Sequence, residues 1–278
     1  MQLIDSHVHF WRIGRNGHAW PGPDLASIHR DFEERDLVAA QAGLDVAGVV
    51  AVQSQPNDQD TDWLLDLAGS SPLILGVVGW ADITASDAVS RIEALAARPK
   101  LCGLRPMLQA IAEDDWILRP EAAPALAAMA KLGLVFDALI EPRHLPHIAR
   151  LADRHPDLKI VIDHGAKPRI VQRVHEPWTS DLVEAARRPN VFCKLSGLST
   201  ECAPGRAETA EPYIAVILSI FPAERLLWGS DWPVVNTNSN YQDWASICLR
   251  SVIYMTKEQR ANIFYGSASL VYSLGGLH

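Results

Sequence analysis

Short apolar, β-branched runs recur along the whole chain, separated by longer stretches in which apolar residues return every three or four positions. The runs cover residues 3–8, 47–53, 73–80, 101–105, 134–140, 160–164, 191–196 and 226–231, and each reads as a strand. Their starts fall roughly 25 to 45 residues apart, the length of a strand followed by a helix. Helical spacing fills the gaps. Residues 58–69 carry Trp63, Leu64, Leu67 and Ala68 on one face, and residues 120–132 are rich in alanine, a strong helix former. Residues 31–42, 143–155, 179–188, 207–221 and 241–254 follow the same rule, with a further short helix over 257–265.

Eight such units in about 250 residues match the size of a (β/α)8 TIM barrel. A doubly wound open sheet is the alternative, but it announces itself with a glycine-rich first turn, and the first turn here reads HFWRIG. No linker or change of composition divides residues 1–278, so a single domain is expected. In such a barrel the site lies at the C-terminal ends of the strands, which makes those ends the places to search for chemistry.

The first strand ends in His7 and His9, which share one side of a strand about 6.6 Å apart. Asp5 has the same parity and is expected one layer deeper, placed to orient a histidine. The second strand ends in Gln53, the fourth in Arg105, the sixth in His164 (VIDHG), and the eighth in Asp231 followed by Trp232. Lys194 lies near the end of the seventh, VFCKLSG; Asp137, in the middle of the fifth run, is a candidate to neutralise it. The histidine pair alone fits either a metal or neutral imidazoles directed at a carbonyl. Residues 10–30 form a long loop after the first strand, with Gly14, Gly17, Pro21, Gly22 and Pro23 and little periodicity; it reads as a lid, with His18 or Trp20 toward substrate.

The net charge of −8, from 25 basic and 33 acidic residues, and the lack of a basic cluster argue against a nucleic-acid binder. No apolar stretch approaches the ~20 residues of a membrane span, and the N-terminus does not read as a signal peptide. Cys102, Cys193, Cys202 and Cys248 form no paired motif, which suits reduced thiols and a cytoplasmic protein. Oligomeric state is not legible; a homo-oligomer stays open.

The segments DSHVHFW, GLRPMLQ, DWILRP, VIDHGAKP, VFCKLSGL and ERLLWGSDWPV, in this order, resemble the amidohydrolase superfamily, and within it the amidohydrolase-2 branch. The likeness runs from Leu3 to about Tyr265 and is greatest to its sugar lactonases of the L-fuconolactonase and L-rhamnonolactonase type. The resemblance implies an active site of His7, His9, His164 and Asp231. Members of the superfamily use this set to hold one divalent metal, usually zinc, while some lactonases of the branch work without one. No lysine stands at the end of the fourth strand to bridge two metals; Arg105 is there instead, and Glu141, His144 and His147 near the fifth strand end have no clear place as ligands.

Opening a small lactone needs an activated water, a polarised carbonyl and a proton for the leaving oxygen. Asp231 is the expected general base. His7, His9 and His164 would polarise the carbonyl, directly or through zinc. Trp11, Gln53, Arg105, Lys194 and Trp232 are the expected substrate contacts, with Arg105 and Lys194 facing the mouth as cations. Two other readings compete. One is a metal-dependent decarboxylase or hydrolase of a carboxylated, muconic or pyrone-type substrate. The other is a binding protein on a retired barrel, against which stands the cost of keeping a buried histidine cluster.

Overall fold

Eight parallel strands pair in chain order, β1 (Leu3–Val8), β2 (Val46–Val52), β3 (Ile74–Gly79), β4 (Leu101–Leu104), β5 (Val135–Ala138), β6 (Ile160–Ile162), β7 (Val191–Leu195) and β8 (Leu226–Trp228). The structure is a computed structural model that describes residues 1–275; the last three residues of the expected domain lie outside the described residues. Outside the sheet lie α1 (Glu34–Ala40), α2 (Asp58–Ser70), α3 (Ala88–Ala96), α4 (Ala123–Leu132), α5 (Leu145–Arg154), α6 (Trp178–Ala186), α7 (Glu211–Ile220) and α8 (Tyr241–Ser251). After these come α9 (Lys257–Ala261), a short π-helix (Asn262–Gly266) and α10 (Ser267–Val271). This is a single-domain (β/α)8 barrel, as the strand–helix rhythm predicts. The pattern reading omitted α3, although Ala88, Ile92 and Leu95 are buried at steps of four and three residues.

The strands are short and apolar because both faces are covered. Inward-facing Ile4, Val50, Val52, Val78, Val135, Val161 and Leu227 form one cluster with Ala268, Val271, Tyr272 and Leu274, so the C-terminal segment plugs the barrel end opposite the strand C-termini. The outward residues, among them Val49, Ala51, Val77, Phe136, Ile160 and Trp228, pack with the helices in a second, larger core.

The barrel closes between β8 and β1 just beyond the strands. His9 N–H donates to the Trp232 carbonyl at 2.7 Å, Asp231 N–H to the His7 carbonyl at 2.9 Å, and Ser6 Oγ to the Trp228 carbonyl at 2.7 Å. This seam brings the histidine pair beside Asp231.

One register detail corrects the sequence reading. Between Asp5 and Val8 β1 advances three residues while β2 advances only two, from Val49 to Ala51, so a β-bulge inverts the parity of β1. Asp5 therefore does not share the side of His7 and His9. Its Oδ1 accepts the backbone N–H of Ser230 at 2.8 Å and of His7 at 3.2 Å. It ties the seam together and does not orient an imidazole.

Candidate active site

His7, His9, Asp163, His164 and Asp231 meet at the C-terminal end of the barrel, each no more than 3% exposed. β1 supplies the histidine pair, and the turn after β6 supplies Asp163 and His164. The segment after β8 supplies Asp231. Backbone strain marks two of these places. His164, Ala166 and Lys167 have φ values of 55°, 63° and 50°, and Asp231 has 59°, a left-handed conformation that costs a non-glycine residue about 1–2 kcal/mol. Such outliers persist where the surroundings hold them, and they gather at functional sites.

Two glycines make room for the imidazoles. A Cβ on Gly229 would stand 2.8 Å from His7 Cβ, and one on Gly197 would stand 2.3 Å from His164 Nδ1. Neither glycine was singled out from the sequence, although both lie in quoted motifs. His164 Nδ1 is paired at 2.9 Å with Ser196 Oγ, also in such a motif.

His9 Nδ1 lies 2.8 Å from the Val52 carbonyl, which can only accept, so neutral His9 carries its proton there. Its bare Nε2 turns into the site. Neutral His9 thus accepts hydrogen bonds in the site, which suits the expected route through a metal and not direct donation to the carbonyl. His7 Nε2 is 3.2 Å from His9 Nε2. Asp231 Oδ1 stands 3.4 Å from His9 Nε2 and 3.7 Å from His7 Nε2, and is buried without a hydrogen-bond partner.

Lys194 is not at the mouth. Its ammonium is fully buried beneath His7, 2.5 Å from Asp137 Oδ2, 3.0 Å from Asp163 Oδ1 and 3.1 Å from His7 Nδ1. The proposed neutralisation by Asp137 is what the structure shows, and a direct substrate contact is not. Tyr272, at the barrel floor, donates to Asp137 at 2.8 Å. Asp163 and Tyr272 were not recognised as parts of this network.

Arg105 sits beside His7, with Nη1 3.4 Å from His7 Nε2 and 3.5 Å from Asp163 Oδ2, and Nη2 2.5 Å from the Gln53 carbonyl. Gln53 is fully buried and donates to the Arg105 carbonyl at 2.9 Å, so it braces the arginine. Trp11 is near His9, ring centroids 6.4 Å apart, with its indole N–H on the Arg30 carbonyl. Trp232 packs on Phe10 and Phe32 and lines a cleft with Asp36, Asn240 and Gln242 behind the seam; it belongs to the packing there. His144 caps the turn before α5, where its Nδ1 pairs with the Glu141 N–H at 3.1 Å.

The electrostatics follow from burial and from the buried ions. Burial and the Lys194 charge hold His7 well below the ordinary imidazole range, and burial takes His164 down to about 4. Both are neutral at pH 7. Burial pushes Asp163 and Asp231 upward, but Lys194 and His7 reverse this for Asp163, as His164, His9 and His7 do for Asp231. Both carboxylates end below their ordinary range and are ionised. Lys194 is held above its ordinary value by Asp137 and Asp163, against the burial that would lower it.

The donor set fits one divalent ion. Two ligands bound tetrahedrally to zinc at about 2.0–2.1 Å sit about 3.3–3.4 Å apart. The edges of the triangle His7 Nε2, His9 Nε2 and Asp231 Oδ1 are 3.2, 3.4 and 3.7 Å, and the orphaned Asp231 oxygen is an acceptor such an ion would satisfy. A second group, His7, Asp163 and His164, also clusters, but Asp163 is engaged by Lys194.

The loop over 10–30 is closed at its base, where Trp11 and Phe32 form an antiparallel bridge. Gln55, after β2, holds its far part: Oε1 accepts Ala19 N–H at 2.8 Å and Trp20 N–H at 3.3 Å, and Nε2 donates to the Trp20 carbonyl at 2.6 Å. Trp20 meets Trp11 edge to face at 5.5 Å.

A sequence model of the family described as amidohydrolase matches residues 4–274. An L-fucono-1,5-lactonase of Burkholderia ambifaria is 43% identical over 276 residues, covering 98% of this chain and 95% of that protein. An L-fucono-1,5-lactonase of Burkholderia multivorans is 31% identical, covering 98% and 96%. A crystal structure of an amidohydrolase from Burkholderia multivorans with bound zinc is 30% identical and superposes with a TM-score of 0.91, covering 99% of this chain and all of that one.

Proposed function

Because this chain belongs to the amidohydrolase family, we propose that it is a lactonase that opens the ring ester of a small sugar lactone, of the L-fucono-1,5-lactone kind. The observation that carries the substrate class is the 43% identity, over nearly the full length of both chains, to a protein named L-fucono-1,5-lactonase. The chemistry of the site agrees with it.

Asp231 is the general base. Its buried, unpartnered Oδ1 takes a proton from a water that adds to the carbonyl carbon. The carboxylate is a weak base, but a lactone is an activated ester and the attack needs no strong one. The carbonyl oxygen gains negative charge and is met by hydrogen bonds from His7 and Arg105, whose donor atoms lie 3.4 Å apart. His164, neutral and fixed by Ser196, lines the same space. The ring C–O bond then breaks, and the ring oxygen leaves as a hydroxyl with the proton that Asp231 collected. Where a divalent ion is held, His7, His9 and Asp231 hold it, and it supplies Lewis-acid polarisation of the carbonyl.

The loop over 10–30 is the lid. Its support is the near-complete burial of the cluster, which a substrate must reach, and the Gln55 clamp. Trp11 and Trp20 offer ring faces to the sugar beside His9. The four cysteines are buried and unpaired, which supports a place in the cytoplasm.

A decarboxylase or hydrolase of a carboxylated substrate is favoured less. Of the two cations it would use, Lys194 is fully buried and held by Asp137 and Asp163.

The test is hydrolysis by the purified protein of L-fucono-1,5-lactone and a panel of aldono-1,4- and 1,5-lactones, followed with a pH indicator. Turnover of the panel that is lost in Asp231→Asn is the expected result. No turnover, or a variant equal to the wild type, overturns the reading.

A further inference from the structure

We propose that Lys194 is a positioning residue that fixes the proton of His7 on Nε2, aimed into the site. The argument is a count of donors and acceptors. An ammonium has three N–H groups and no lone pair. Lys194 Nζ makes two hydrogen-bond contacts, with Asp137 Oδ2 at 2.5 Å and His7 Nδ1 at 3.1 Å, and an ionic contact with Asp163 Oδ1 at 3.0 Å that lacks hydrogen-bond geometry; the group is sealed from solvent. The contact with His7 is a hydrogen bond only if His7 Nδ1 accepts, because the ammonium can only donate. Neutral His7 then carries its own proton on Nε2.

The far side of the ring agrees independently. His9 holds its proton on Nδ1 for the Val52 carbonyl, so His9 Nε2 is bare, 3.2 Å from His7 Nε2. Two bare nitrogens at that distance would repel; a donor and an acceptor bond. The protons thus run in one order, from Lys194 to His7 Nδ1, from His7 Nε2 to His9 Nε2, and from His9 Nδ1 to Val52. Arg105 Nη1, 3.4 Å from His7 Nε2, opposes this order only weakly, since Asp163 Oδ2 at 3.5 Å offers it another acceptor.

The opposite tautomer is the one a histidine ligand usually needs, with Nδ1–H donating to a carboxylate and Nε2 bare for the ion. Here Asp163 Oδ1 would receive that proton, but it is 3.5 Å away and an ammonium stands nearer. Lys194 therefore favours His7 as a hydrogen-bond donor over His7 as a metal ligand. Only the final link, that the Nε2–H meets the carbonyl oxygen of a lactone, rests on the hydrolase reading.

Two measurements test this without a substrate. In wild-type protein carrying 15N-histidine, with His7 assigned by its loss in His7→Gln, long-range 15N–1H correlations are expected to show a protonated Nε2 and a bare Nδ1. A proton on Nδ1, or on both nitrogens, overturns the proposal. In the double variant Lys194→Met/Asp137→Asn, which removes the buried charges as a pair, the His7 proton is expected to move to Nδ1. Zinc binding to metal-stripped protein, read by competition with a chromophoric chelator, is expected to tighten about tenfold or more. Unchanged or weaker zinc binding in a folded variant overturns the proposal; if the variant does not fold, the wild-type spectrum decides. Neither readout depends on lactone turnover, so failure of the lactonase reading would leave both results standing.

Discussion

Asp231 Oδ1 stands 3.4 Å from His9 Nε2, a nitrogen that the Val52 carbonyl leaves bare, so neither atom supplies a proton to the other. A water beside them can donate to Asp231 Oδ1, which has no other partner. Asp231→Asn keeps the shape and removes the proposed base. The kcat for lactone opening is expected to fall by about 10²–10⁴-fold, with KM changed much less. Equal loss in KM and kcat would show that Asp231 serves binding.

Gly197 is expected to be intolerant of the smallest side chain. A Cβ there would meet His164 Nδ1 at 2.3 Å, and the residue has φ of +61°. Gly197→Ala should displace the imidazole and break its bond to Ser196, lowering kcat by roughly 10²-fold, the cost of a misplacement near 1 Å. Far-ultraviolet circular dichroism should confirm that the barrel is intact. Wild-type kcat would show that His164 has no part in the reaction.

Gln55 holds the loop over 10–30, the proposed lid, through three hydrogen bonds, each worth about 1 kcal/mol net. In Gln55→Ala, trypsin should cut faster at Arg12, Arg15 or Arg30 than in the wild type, and KM should rise. Unchanged cleavage and KM would mean that the loop is held elsewhere.

Asp5 gives a pH signature in stability. Burial pushes its carboxyl up to about 6 from an ordinary 3.8, against the hydrogen bonds of Ser230 and His7. A carboxyl that binds its proton more tightly when folded favours the folded state in acid. That advantage is lost as pH rises through the interval and stays lost above it. Two units correspond to about 3 kcal/mol at most. Asp5→Asn keeps an oxygen for both backbone N–H groups, so its advantage over the wild type in urea denaturation should grow between pH 3.8 and about 6 and then level off. A constant difference across that window would refute the assignment.

With the His7 proton on Nε2, the chain's own groups supply the hydrogen bonds that lactone opening needs. Exhaustive chelation followed by metal analysis should leave most of kcat in place. Loss on chelation that zinc restores would assign the polarising role to the ion.

The sequence made much of this site legible because strand ends are local. A run such as VIDH or LLWGSD shows where a strand stops and which polar residue follows, and the barrel then gathers those ends at one face. Other positions misled for stated reasons. Asp5 was misplaced because the β-bulge depends on pairing with β2, which one strand cannot reveal. Lys194 looked like a mouth residue because its three partners come from β1, β5 and the turn after β6. Trp232 follows Asp231 directly but packs behind the seam.

The sequence by itself determined the strand–helix rhythm, the His7–His9 pair, His164 and Asp231, because these follow from periodicity and from residues at the ends of apolar runs. Only the tertiary structure decided which nitrogen of each imidazole faces a carbonyl, a cation or the open site. Proton positions are set by hydrogen-bond partners, and here those partners lie 43 residues away for His9 and 187 for His7.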